Sequence, residues 1–174
     1  MRNKRLALSV TAAIAAAMLS SCAAATTAPV ITGAVVDLSG TDLSRPSALD
    51  GEWQFYWMRF VEPPVFASGQ PPVPDALVPF PALWKDYPVP TVTAEGYGTW
   101  HLRIDGLEPG RRYGIKASSF FSAATIYANG TSVQSHGTVG RTEDTERPGW
   151  LSLVSPVEAD GDGRLHLVIH ASNF

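Results

Sequence analysis

From Trp100 to Ile104 the chain runs Trp-His-Leu-Arg-Ile, apolar and polar in strict turn. A period of two marks a strand with one face in a core, and it assigns Trp100, Leu102 and Ile104 to that core. Residues 51–57 repeat the pattern, with Trp53, Phe55 and Trp57 on one face and Glu52, Gln54 and Tyr56 on the other. Three large aromatics on one side anchor a core, because each buries roughly 150–250 Å². The run Ile126-Tyr127-Ala128 ends in Asn129-Gly130, two residues that tolerate positive φ and so close a tight hairpin. Its strands span 123–128 and 131–135. Further strands are expected at 34–38, 76–80, 97–105, 112–118, 150–154 and 164–171, the last two joined across Asp160-Gly161-Asp162-Gly163.

Between these runs the pattern fails in an informative way. Residues 58–95 hold Pro63, Pro64, Pro71, Pro72, Pro74, Pro79, Pro81, Pro88 and Pro90. Proline has no N–H to give to a ladder, so this stretch reads as surface connections around one short strand. Within it, residues 78–84 are expected to pack an aromatic onto the rim of the fold. Residues 136–149 are polar and glycine-rich, hence a loop. Short strands separated by turn signals define an all-β protein, a β-sandwich or jelly roll.

The N-terminus reads differently. Arg2, Lys4 and Arg5 precede an apolar run from Leu6 to Leu19, the layout of a cleaved secretory leader. Leu19-Ser20-Ser21-Cys22 then resembles the lipobox of bacterial lipoproteins, in which the cysteine thiol takes a diacylglyceryl group. Residues 1–21 are therefore expected to be a lipoprotein-type signal peptide, 22–33 a tether, and 34–174 the sandwich. The expected location is the bacterial cell envelope, membrane-anchored and facing the periplasm or exterior. Cys22 is the single cysteine, which excludes an intramolecular disulfide. The chain carries 13 Lys+Arg and 16 Asp+Glu; three basic residues lie in the leader, leaving 10 against 16, a charge of −6. An acidic body without a basic run excludes nucleic acid as a partner. The apolar strand at 164–171 stops close to the end of the sequence, and a fragment of a longer protein is expected.

Candidate chemistry is sparse. His166 and His170 sit four apart on one strand, about 13 Å from each other, too far to share an ion; they read as exposed-face residues. Glu52 and Asp105 have no evident partner. No Gly-x-Ser-x-Gly elbow surrounds Ser118, Ser119 or Ser122, and Gly137–Gly140 lacks the lysine and helix of a phosphate loop. Neither catalysis nor a cofactor is expected. Asp160 and Asp162 read as a turn, because two carboxylates fall short of the roughly six to eight oxygens calcium takes. The ligand-binding candidates are Trp84, Tyr97, His136, Arg141 and Trp150, near expected loop ends: rings stack on a sugar face while a few polar groups bond its hydroxyls. The competing reading has Trp84 and Tyr97 plugging the sandwich end, and Arg141 and Arg147 as part of a solvated charge mixture with Glu143, Asp144 and Glu146.

Taken in order, residues 49–57, Phe80-Pro81-Ala82-Leu83-Trp84, residues 96–104, 123–130, Gly137-Thr138-Val139-Gly140 and residues 167–174 carry a resemblance. The chain resembles the extracytoplasmic sensor domain of bacterial seven-transmembrane receptors with diverse intracellular signalling modules. More distantly it is similar to the sugar-binding jelly roll of family 2 glycoside hydrolases. The resemblance covers about residues 35 to 174. It implies a jelly-roll β-sandwich of the galactose-binding-like kind. It also implies an extracytoplasmic ligand-sensing module, with a small molecule such as a carbohydrate as partner, tied to a membrane through Cys22 or through transmembrane helices beyond this sequence. The alternative is a lipid-anchored envelope protein of structural or assembly role with no small-molecule ligand.

Overall fold

The computed structural model describes residues 29–117, 121–150 and 152–174. The expected leader and the candidate lipidation residue Cys22 lie outside the described residues. Among the described residues nine strands and one short α-helix follow in order, with 3-10 turns at Trp84–Asp86 and Glu143–Thr145: β1 (Val35–Asp37), β2 (Gly51–Trp57), α1 (Pro64–Ala67), β3 (Ala76–Phe80), β4 (Gly96–Asp105), β5 (Arg112–Ala117), β6 (Ala123–Ala128), β7 (Thr131–His136), β8 (Leu153–Glu158) and β9 (Leu165–Asn173). The larger sheet has the order β3-β2-β4-β9-β6-β7, and the smaller one pairs β5 with β8. The fold is thus an all-β sandwich of largely antiparallel strands. β1 and β2 share one edge of β4: β2 pairs with residues 98–101, and β1 takes over, in parallel, at residues 103–105.

The alternation sets the core. Trp53, Phe55, Trp100, Leu102, Ile104, Leu165, Leu167 and Ile169 all turn inward and are buried. Trp100 stands at the centre, ringed by Phe55, Phe80, Trp84 and Phe121. Its Nε1–H donates to the Tyr87 hydroxyl at 3.2 Å. Burial pushes that hydroxyl up to about 12.

The Asn129-Gly130 turn forms with both residues at positive φ, 46° and 84°. Asn129 does more than turn the chain. Its backbone N–H reaches the His166 carbonyl, its Oδ1 accepts from the His166 N–H at 2.8 Å, and its Nδ2 donates to the Glu158 and Arg164 carbonyls at 3.3 Å each. One side chain therefore pins the β6–β7 hairpin to the end of β8 and the start of β9.

Three expectations need correction. The strand placed at 150–154 begins at Leu153 and runs to Glu158. The tether does not extend to residue 33: Ile31 is buried in the core against Gly51, and Thr32 bridges Val35. An isoleucine that reaches the core binds its segment to the fold, whatever the surrounding composition. Finally, the outward face of the larger sheet is not open to solvent. Residues 58–68, read as an irregular connection, fold over it with Val61 and Phe66 buried against Tyr56 and Val168. His166 and His170, expected to be exposed, are consequently buried at 9% and 6%.

Candidate functional site

The strap of residues 58–68 is held to the outward face by polar anchors. The Thr99 hydroxyl donates to the Arg59 carbonyl at 2.7 Å and accepts from the Val61 N–H at 3.0 Å. His170 Nε2–H donates to the Val61 carbonyl at 2.8 Å. Phe66 lies flat on His101, ring centroids 4.0 Å apart. His101 is in turn 2.9 Å from Gln54 Oε1 through Nδ1 and 3.0 Å from His166 Nδ1 through Nε2. Because Gln54 Oε1 only accepts, His101 donates from Nδ1 and accepts at Nε2 from His166. Burial first, then the neighbouring His166 and Arg103, pull His101 down to about 3. Burial likewise lowers His136, His166 and His170, each opposed by its own hydrogen bonds or neighbouring carboxylates.

Along the same face, toward the start of β4, aromatic rings run in a row. Tyr127 meets His170 edge-on, His170 stacks on Phe60, and Phe60 lies 4.8 Å from Tyr97. Arg141 caps the row, its Cζ 5.8 Å from the Phe60 ring and 6.0 Å from the Tyr97 ring. Its guanidinium is exposed and enters no ion pair among the described residues.

Arg141 is placed there by the loop between β7 and β8. Thr138 and Arg147 exchange backbone hydrogen bonds at 2.7 and 3.0 Å. The Gly140 N–H donates to the Ser172 hydroxyl, and Ser172 pairs with Tyr97 across the sheet. Gly137, at φ 65°, is required by this doubling back, since a Cβ there would press into the Arg147 carbonyl and stand 2.8 Å from Gly149 N. Glu146 is not part of a solvated charge mixture. It is 4% exposed and accepts from the Ser122 hydroxyl and, at 3.4 Å, from the Phe174 N–H. Trp150 leaves the other root of the loop with its ring 86% exposed.

Of the five residues proposed from sequence, the fold brings Tyr97 and Arg141 together and leaves Trp150 open on the same loop. Trp84 and His136 belong elsewhere. Trp84 is a core residue, stacked on Trp100 at 5.8 Å with its Nε1–H on the Ala94 carbonyl. It plugs the sandwich and has no face to offer a ligand. His136 is the last residue of β7 rather than a loop residue, is 4% exposed, and bonds to the Phe121 backbone. Sequence reasoning missed Phe60, which sits in the proline-rich stretch where no period flags it.

The remaining chemistry is local. Asp160 Oδ1 accepts from the Asp162 and Arg164 N–H groups at 2.9 and 2.8 Å, and Asp162 pairs with Arg164. Glu52, expected to lack a partner, accepts from the Gly33 N–H, and Asp105 pairs with Arg103 at 3.0 Å. Among the described residues no group of three or more His, Cys, Asp or Glu is placed to hold a metal ion, and no helix is long and apolar enough to cross a membrane.

The fold and this row of rings define an all-β sandwich with an arginine-capped aromatic strip. No family model and no curated protein matches the chain. Among solved structures it is similar to β-glucuronidase from Ruminococcus gnavus, at 20% identity and TM-score 0.48, over 72% of this chain and 20% of that one. The same enzyme in complex with uronic isofagomine matches at 19% identity and TM-score 0.49, over 73% of this chain and 21% of that one. The chain thus spans about a fifth of the length of these glycoside hydrolases.

Proposed function

We propose that this chain is an extracytoplasmic ligand-binding module whose ligand is a carbohydrate, and that it serves as the sensing part of a membrane signalling receptor. The observation that carries the reading is Arg141. A guanidinium exposed and in no ion pair among the described residues is held over Tyr97 and Phe60, while Trp150 presents an open ring from the same loop. An aromatic face takes the C–H side of a pyranose, and the planar donors of arginine reach its hydroxyls. The leader of Arg2, Lys4, Arg5 and the apolar run to Leu19 supports export to the cell envelope, with anchoring through Cys22 or through helices beyond this sequence. In a receptor, the sugar would shift the signalling equilibrium by no more than its differential affinity for the two states.

The test is a calorimetric and thermal-shift screen of the protein against mono- and oligosaccharides. Binding is expected, and Arg141→Ala and Trp150→Ala are each expected to weaken it by about tenfold or more, near 1.4 kcal/mol. Neither change touches the core, so both variants should unfold like the parent. A screen without a single binding saccharide, or variants that bind as the parent does, would reject the reading and favour a lipid-anchored envelope protein without a small-molecule ligand.

A further inference from the structure

The two sheets do not close on each other along one side. Between β5 and residues 43–50 lies an open cleft of about 1000 Å³, floored by the inner face of the larger sheet at Trp53, Ile126 and Leu167. That is the upper end of the range of ligand sites, roughly 300–1,000 Å³. The cleft is distinct from the arginine-capped strip, which lies on the opposite face of the larger sheet.

One wall of the cleft is a strand edge that no other described strand covers. Among the described residues β5 pairs with β8 and with no other strand. Opposite Gly114 stands Pro156, which has no N–H to exchange. Gly114 is therefore at a position that bonds away from β8, and Arg112 and Lys116 follow in step. Their backbone N–H and C=O groups face the cleft. Among the described residues, no backbone hydrogen bond from residues 43–50 reaches them. Tyr113, Ile115 and Ala117 pack inward on the core, which leaves the Arg112 and Lys116 side chains outward. Among the described residues, neither of these cations, nor Arg45 on the facing wall, enters an ion pair. Three cations without an ion pair among the described residues thus border this mouth, against the single carboxylate Asp50 in its lining and Glu158 across the ladder from Arg112.

We propose that the cleft is a β-augmentation site that takes an extended segment of a partner polypeptide in which apolar and acidic side chains alternate. The segment's backbone completes the ladder of Arg112, Gly114 and Lys116. Its apolar side chains enter the floor, and its carboxylates lie beside Arg112, Lys116 and Arg45. A second copy of this chain fits poorly. Antiparallel pairing of two β5 edges about a twofold sets cations of one copy against cations of the other, which is unfavourable.

The probe is a synthetic peptide alternating valine and glutamate, matched in length to β5 and fluorescently labelled. Saturable binding is expected, with the Gly114 and Lys116 amides becoming protected from hydrogen exchange. A valine–lysine peptide should bind about tenfold more weakly or less, and N-methylation on the bonding edge of the valine–glutamate peptide should abolish binding. The double variant R112E/K116E, altered only at exposed side chains, should reverse the preference between the two peptides. Four outcomes would overturn the proposal. The first is absence of binding, and the second is binding indifferent to N-methylation, which would mark an apolar anion rather than a strand. The third is dimerisation of the peptide-free protein through β5. The last is protection of the edge amides before any peptide is added, which would mean that another segment of the same chain covers the edge.

Discussion

Replacing Trp100 with alanine lowers the free energy of unfolding by about 3–5 kcal/mol, the range for deleting a fully buried aromatic. The magnitude follows from position. Trp100 has no exposed surface, and the rings around it come from β2, β3, the turn at residues 84–86 and the segment after β5. Phe55 and Phe80 cannot collapse into the void without breaking strand register, and Trp84 is tied by its Nε1–H to the Ala94 carbonyl. The change also orphans the Tyr87 hydroxyl, a buried acceptor whose loss adds to the cavity cost. Trp100→Phe keeps a ring and should lose distinctly less. Urea unfolding followed by tryptophan fluorescence gives both values. A loss below about 1 kcal/mol for alanine would show that the aromatic cluster is looser than its geometry.

Acidification is expected to weaken the protein well above the pH at which its carboxylates titrate. His101 is ordinary, near 6.5, when unfolded and is held at about 3 when folded. Above pH 6.5 the neutral ring binds no proton in either state, and stability is independent of this group. As pH falls below 6.5 the unfolded chain takes up a proton that the folded chain refuses, so stability declines until pH passes about 3. From His101 alone the loss is about 2 kcal/mol between pH 7.5 and pH 5. His136, His166 and His170, lowered in the same direction, add to it. The geometry explains the refusal. A proton on His101 Nε2 would point at the hydrogen that His166 Nδ1 already donates, beneath the Phe66 ring. His101→Gln should flatten the stability profile between pH 7.5 and 5. An unchanged slope in that variant would move the effect to the other three histidines.

Local signals carried most of the fold. The bounds of β2, β3 and β6 match the expected 51–57, 76–80 and 123–128 residue for residue, since glycine, proline or Asn-Gly stands at or beside an end of each. The inward positions of β4 were equally plain. What alternation could not show was that the polar face is covered too. The covering strap is proline-rich and aperiodic, and its partners Thr99, His101 and His170 lie dozens of residues away. His166 and His170 therefore looked like solvent-facing residues. The same non-locality divided the candidate site. Tyr97 and Arg141 were flagged separately, and their meeting depends on a loop folding back to Ser172 and on Phe60 arriving from the strap. For Trp84 the two readings, ligand-facing ring and plug of the sandwich end, present the same letter in sequence, and the structure makes it the plug.

Asn129 sits before a glycine, the pairing in which an asparagine amide is most readily lost: the next backbone nitrogen attacks the side-chain carbonyl through a five-membered ring. Here that side chain is clamped by the His166 N–H on one side and two carbonyls on the other, and its carbonyl cannot swing toward Gly130. The folded protein is thereby shielded from its most obvious route of chemical ageing, and the shield lasts only as long as the fold. In an unfolded chain the same dipeptide would convert to aspartate or its isomer. The new carboxylate would then face the Glu158 and Arg164 carbonyls with nothing to donate, so a molecule that aged while unfolded would return to its hairpin with the staple reversed in sign.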